Sequence, residues 1–122
     1  MTPRVLVVED EYLIAAGLEA ELQALGCKVI GPVGGLTAAL EIVRGRPIDA
    51  AIVDLKLRHG ESAEPLTEEL RKRGIPYAVT GGSSGREPHK DALCTIIGKP
   101  YSRSDLARWV RRLWGESLDG AR

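Results

Sequence analysis

Residues 50–54 read Ala50-Ala51-Ile52-Val53-Asp54, an apolar run that stops on a carboxylate. Following Pro47 and Ile48-Asp49, it suits a strand buried on both faces of a parallel sheet, with Asp54 at the C-terminal edge. Three other runs end in a similar way. Val5-Leu6-Val7-Val8 leads into Glu9-Asp10, Ala78-Val79 into Thr80, and Ile96-Ile97-Gly98 into Lys99. The carboxyl ends of the strands in an open α/β sheet form its ligand crevice, so these endings gather carboxylates, a hydroxyl and an ammonium in one place.

Between the strands the spacing turns helical. After the first strand, Arg4 to Val8, the residues Ile14, Leu18, Leu22 and Leu25 predict a helix over 12–25, with Asp10 as N-cap and Gly26 as its stop. Gly17 is unfavourable inside that helix unless a close packing contact requires it. Lys28 to Val33 is a weaker strand, and Pro32 suggests a place at the sheet edge. Helices are expected over 36–44, 63–73 and 102–114, with Ser102 or Ser104 capping the last, and further strands over 75–80 and 92–98. The run Gly81-Gly82-Ser83-Ser84-Gly85-Arg86-Glu87-Pro88 interrupts the alternation and leaves the fourth helix short or disordered. Five β-then-α units joined by right-handed crossovers imply an α/β fold. The expected form is a flavodoxin-like, doubly wound five-stranded parallel sheet in the order 2-1-3-4-5.

The 122 residues make one domain, with its core over 3–114 and a fraying tail over 115–122. Lys plus Arg and Asp plus Glu both number 17, so no overall basic field draws the chain to nucleic acid. The sequence shows neither a signal peptide nor a membrane-spanning run, which predicts a cytoplasmic protein without a membrane partner. Cys27 and Cys94 lack a metal-ligand spacing and read as free thiols, while His59 and His89 fall in expected loops. Glycines 31, 34 and 35 match no phosphate-binding fingerprint. Arg103, Arg108, Arg111 and Arg112 make the last helix basic, a solvated or protein-docking face that would serve a monomer or a weak dimer.

In the expected strand order Glu9, Asp10 and Asp54 share one crevice, where three carboxylates repel one another unless a cation neutralises them. Mg²⁺ suits such hard oxygen donors and commonly works with one or two carboxylates and a phosphate. Lys99 and Thr80 suit phosphoryl oxygens, and the backbone N–H groups of Leu55 and Gly81 could add donors. A carboxylate in this setting can attack an activated phosphoryl group and become an aspartyl phosphate.

The segments Val-Val-Glu-Asp-Glu, the Asp54 strand, Val-Thr-Gly and Gly-Lys-Pro, in this order over positions 5–100, closely resemble the receiver domain of bacterial two-component response regulators. The resemblance implies that Asp54 accepts the phosphoryl group, Asp10 binds Mg²⁺ directly, Glu9 assists through water, and the carbonyl of Lys56 completes the metal shell. It also implies that Thr80 and Lys99 contact the phosphoryl group and that the Lys99-Pro100 peptide is cis. Lys56 and Gly82 occupy positions that tune water access in similar receivers. The aromatic residue common three positions before the lysine is replaced by Ile96, and Tyr101 follows Lys99-Pro100, which puts the usual switch in doubt at this pair. The stretch Ile-Pro-Tyr-Ala-Val-Thr-Gly-Gly looks like the Pro-Phe-x-Phe-Ala-Thr-Gly signature of stand-alone alphaproteobacterial receivers, which work with histidine kinases of the HWE or a related class.

The expected function is a single-domain response regulator. It would take phosphate from a sensor histidine kinase or histidine phosphotransfer protein, lose it slowly to water, and signal by docking or act as a phosphate sink. Two other readings stand beside it: a receiver-like interaction module that is never phosphorylated, and an aspartyl-phosphate phosphohydrolase. The second is weakened by Lys56, which stands where such phosphatases carry an acid. A receiver cut from a larger hybrid kinase would read the same way.

Overall fold

The computed structural model describes residues 2–57, 60–80, 93–98 and 101–115. The expectations placed on His59, Gly81, Gly82, His89, Lys99, Pro100, the glycine-rich run that would hold a fourth crossover helix, and the tail past 115 lie outside the described residues. The described elements are β1 (Arg4–Val8), α1 (Tyr12–Ala24), β2 (Lys28–Val33), α2 (Leu36–Gly45), β3 (Ala50–Asp54), α3 (Glu64–Lys72), β4 (Tyr77–Thr80), β5 (Cys94–Ile96) and α4 (Arg103–Trp114). The strands form one parallel sheet in the order β2-β1-β3-β4-β5, the flavodoxin-like arrangement.

Strand alternation divides the core in two. Leu6, Val8, Val53 and Val79 pack with Leu66 and Leu70 of α3 and with Val43 of α2. Val5, Val7, Ile52 and Ala78 pack on the opposite face with Leu18 and Leu22 of α1 and with Leu106 and Trp109 of α4. Both faces of β3 are thereby covered, which is why its five residues are all buried. Among the described residues no helix is long and apolar enough to cross a membrane.

Several local expectations need adjustment. Asp10 does not cap α1; Glu11 occupies the N-cap position without a side-chain capping bond, and its own N–H donates to Glu9 Oε2 at 3.1 Å. The Asp10 carboxylate belongs instead to the acidic cluster at the strand ends. At the other end Gly26 has φ +95°, its N–H donates to Gln23 O and that of Cys27 to Leu22 O, a Schellman stop at the expected glycine. Ser102 rather than Ser104 caps α4, its Oγ accepting from Asp105 N–H at 3.1 Å.

Strand β5 is shorter than the expected 92–98, although Ile97 N–H still donates to Val79 O at 2.9 Å. At the opposite edge β2 is irregular as Pro32 suggested. Its pairing with β1 slips by one residue between Leu6 and Val8, and Gly31 adopts φ +96°, where a Cβ would stand 2.9 Å from Val33 N and 3.1 Å from Val7 O. The Gly31-Pro32 peptide is cis.

Candidate functional site

The strand register places the site. Val8 pairs with Val53 across β1 and β3, and Asp54 pairs with Thr80 across β3 and β4. Glu9, one residue past Val8, therefore ends its strand beside Asp54, with Thr80 on the other side. Alternation adds the direction: Glu9 continues the series Val5 and Val7, Asp54 continues Ala50 and Ile52, and Thr80 continues Ala78, all on the α1 and α4 side of the sheet.

Glu9 and Asp54 are each 4 % exposed and Thr80 is 3 % exposed, whereas Asp10 is open to solvent. Glu9, Asp10 and Asp54 bring carboxylate oxygens within 4.8 Å of one another. Buried carboxylates require compensation, and the backbone supplies part of it. Lys56 N–H donates to Asp54 Oδ1 at 3.1 Å and Glu11 N–H to Glu9 Oε2, so each buried acid is held by an amide two residues further along the chain. The Leu55 N–H donates to the Thr80 carbonyl at 3.1 Å, which joins the ends of β3 and β4.

The chain after β3 folds back on itself, since Lys56 bridges to Ser62, Leu57 N–H donates to Glu61 O, and Leu57 and Ala63 are buried. This fixes the Lys56 backbone at the rim while its side chain stays exposed. An array of hard oxygens at the carboxyl ends of parallel strands, with a hydroxyl beside them, is equipped to hold a divalent cation and a phosphoryl group.

The two residues expected at the switch are placed differently. Ile96 is 50 % exposed on the edge strand, whereas the partly buried Tyr101 ring packs against the core and its hydroxyl donates to Ile14 O of α1 at 3.3 Å. Burial raises the Tyr101 pKa above its ordinary value, and the negative charges of Glu21 and Glu9 add to the shift. Tyr101 thus lies near the acidic cluster without joining it. The basic helix is also largely engaged: Arg103 Nε meets Glu21 Oε1 at 2.9 Å, Arg108 meets Asp105 Oδ1 at 3.6 Å, and Arg112 donates to Thr95 Oγ1 at 3.3 Å. Trp109 is buried, with Trp114 edge-on to it at 6.5 Å.

No protein-family model matches the chain, and no curated protein matches it. Solved structures do. The receiver domain (CheY-like) of a response regulator from Methylobacillus flagellatus superposes with a TM-score of 0.78 at 24% identity, over 93% of this chain and 99% of that one. The receiver domain of a sensor histidine kinase from Pseudomonas aeruginosa PAO1, solved with a magnesium ion coordinated in its active-site cleft, gives 0.77 at 23% identity over 94% and 99%. SdrG from Sphingomonas melonis Fr1 is 35% identical over 93% of this chain and 97% of its own, with a TM-score of 0.79. The chain is a response-regulator receiver domain.

In this receiver domain the strand register joins Glu9, Asp54 and Thr80, and Asp10 completes the cluster at the rim. Sequence reasoning missed two features. The amide of Lys56 as the holder of Asp54 leaves no trace in residue type, because a backbone N–H belongs to any residue but proline. The close approach of Tyr101 to α1 did leave a trace: Gly17, in mid-helix, where a Cβ would stand 3.0 Å from the Tyr101 hydroxyl.

Proposed function

We propose that this receiver domain accepts a phosphoryl group on Asp54 in a Mg²⁺-dependent reaction, with a sensor histidine kinase or histidine phosphotransfer protein as donor. The observation that carries this reading is the nearly buried Asp54, flanked by Glu9 and Thr80 and sharing a 4.8 Å carboxylate cluster with Glu9 and Asp10.

A magnesium ion fits these residues, because two carboxylates are withdrawn from water at one point and a third stands at its mouth, all with hard oxygen donors. Glu9, Asp10 and Asp54 would hold it, helped by the Lys56 carbonyl. Bound there, it supplies positive charge for the phosphoryl oxygens and relieves the repulsion among the acids.

The protein's own groups do the rest. The Lys56 N–H fixes the Asp54 carboxylate through Oδ1. A carboxylate oxygen of Asp54 forms the new bond to phosphorus as the bond to the donor breaks, its electron pair leaving with the donor. The Thr80 hydroxyl donates to a phosphoryl oxygen, and Lys99, two residues beyond Ile97 in the sequence, pairs with another. Water later attacks the acyl phosphate and restores the carboxylate. Signalling then proceeds by docking to another protein or by draining phosphate from the donor, in the cytoplasm. Kinases of the HWE class are the donors that the residues around Thr80 favour.

Intact-mass analysis after incubation with acetyl phosphate and Mg²⁺, repeated with a phosphorylated kinase, tests this directly. A phosphate-sized adduct that requires Mg²⁺ and is lost in Asp54→Asn supports the reading. No adduct from either donor overturns it in favour of a constitutive binding module, and continuous turnover of a small phosphate ester would make the protein a phosphohydrolase.

A further inference from the structure

Helix α2 starts without a cap of its own. Its N-cap residue is Gly35, which has no side chain to accept the free N–H groups of the first turn, and that turn holds no acidic residue. A carboxylate from elsewhere supplies the acceptor. Glu61, 25 residues along the chain in the loop after β3, takes the Leu36 N–H on Oε1 at 3.2 Å. Negative charge is favourable at this end of a helix, and α2 is itself seated on the core by Ala39 and Val43.

The same residue closes the loop. Its carbonyl accepts the Leu57 N–H at 2.9 Å, the Gly60 N–H returns to the Leu57 carbonyl at 3.1 Å, and Lys56 bridges to Ser62. Buried Leu57 and Ala63 fix the two feet of the loop, and Ser62 Oγ accepts the Glu64 N–H at 3.1 Å where α3 begins. Glu61 therefore joins, in one residue, a backbone bond toward the site and a side-chain bond toward α2. The residue before Leu57 is Lys56, whose N–H donates to Asp54 Oδ1 at 3.1 Å.

We propose that Glu61 is a positioning residue for the Asp54 site, its carboxylate tying the loop after β3 to helix α2 and so keeping the Lys56 backbone, N–H and carbonyl alike, at the rim where Asp54 and the cation need it. This rests on the reading of Asp54 as a Mg²⁺-assisted phosphoacceptor. Glu61 is not part of the acidic cluster; it acts through Leu57 and Lys56.

Gly35 supplies the control. Its backbone is extended, with φ −132° and ψ 159°, and a Cβ there would meet nothing within 4 Å, so Gly35→Asp gives α2 a cap of its own. It also restores the negative charge that Glu61→Ala removes. Whatever persists in the double variant is then due neither to an uncapped helix nor to net charge.

The test compares the full chain as wild type, Glu61→Ala, Glu61→Gln and Glu61→Ala combined with Gly35→Asp. It reads the melting temperature, the exchange of the Lys56 and Leu57 amide protons by NMR, and the dissociation constant for Mg²⁺ alone by titration calorimetry. Glu61→Ala should lower the melting temperature, speed exchange at both amides and weaken Mg²⁺ binding by roughly three- to tenfold, the equivalent of one hydrogen bond. Glu61→Gln keeps the acceptor and should stay within about twofold of wild type. In the double variant the melting temperature should return while fast exchange and weak Mg²⁺ binding persist.

Wild-type exchange and Mg²⁺ affinity in Glu61→Ala, or their recovery in the double variant, would reduce Glu61 to a helix cap and overturn the positioning role while Asp54 keeps its reading. A wild-type chain that takes up neither Mg²⁺ nor phosphate from any donor overturns both.

Discussion

Glu9 and Asp54 end neighbouring strands and bury their carboxylates side by side, within 4.8 Å of each other and of Asp10. Without a cation this arrangement opposes folding, because two buried carboxylates lie beside each other and a third, open to solvent, adds its charge at their mouth. Asp10→Asn should therefore raise the melting temperature by a few degrees in the presence of a chelator. With saturating Mg²⁺ the order reverses, since the wild type gains binding free energy that the variant loses. Paired thermal melts with and without the metal check this crossing.

The Gly17 and Tyr101 pair predicts a second reversal, in stability. Gly17→Ala alone forces its Cβ to 3.0 Å from the Tyr101 hydroxyl, so it should be neutral or destabilising. In a Tyr101→Phe background the clash is gone, and the same change should stabilise by about 1 kcal/mol, the helix preference of alanine over glycine. Urea denaturation of the four proteins reads the coupling; equal effects of Gly17→Ala in both backgrounds would contradict the contact.

Cys27, just past the end of α1, is buried in the core on the side of the sheet that α1 and α4 cover, and burial pushes its thiol up to about 11 from 9.0. A thiol that ionises later in the folded state than in the unfolded one contributes stability fully below pH 9, and that contribution fades as pH rises toward 11. The wild type should lose about 1–2 kcal/mol over this range beyond what Cys27→Ala loses. Denaturant midpoints at pH 8 and pH 10.5 measure the difference. At pH 8 Cys27 should resist alkylation until the protein unfolds.

Ser102 caps α4 just beyond Tyr101, accepting the Asp105 N–H at 3.1 Å. Ser102→Ala should destabilise by about 1 kcal/mol and Ser102→Asp by much less, since aspartate also caps well and suits the helix N-terminus. Removing Ser104, which is not the cap, should have little effect on the melting temperature.

How far the sequence revealed the fold depended on the kind of signal. The runs at 5–8, 50–54 and 77–80 are buried on both faces, so a single uninterrupted apolar pattern marked them, and their polar endings marked the crevice. Residues 94–97 were harder. There only one side of the strand pairs, and the run of apolar residues does not by itself mark where pairing stops. The start of α1 misled for a different reason: Asp10 is a good capping residue by type, but its carboxylate belongs to the acidic cluster at the strand ends. Asp54 beside Thr80 was legible from the strand endings alone, whereas the amides that hold the acids were not, because they depend on local backbone path.

The irregular edge strand β2 also bears on strand addition from outside. An open sheet edge offers unpaired backbone groups to any neighbouring chain, and a long straight edge invites fibrillar stacking. Here the slip between Leu6 and Val8 breaks the repeat, and Pro32 has no N–H to offer an incoming strand. At the far side the three residues of β5 give little length for templating. Among the described residues the sheet thus ends on two edges that offer an incoming strand little regular backbone to copy.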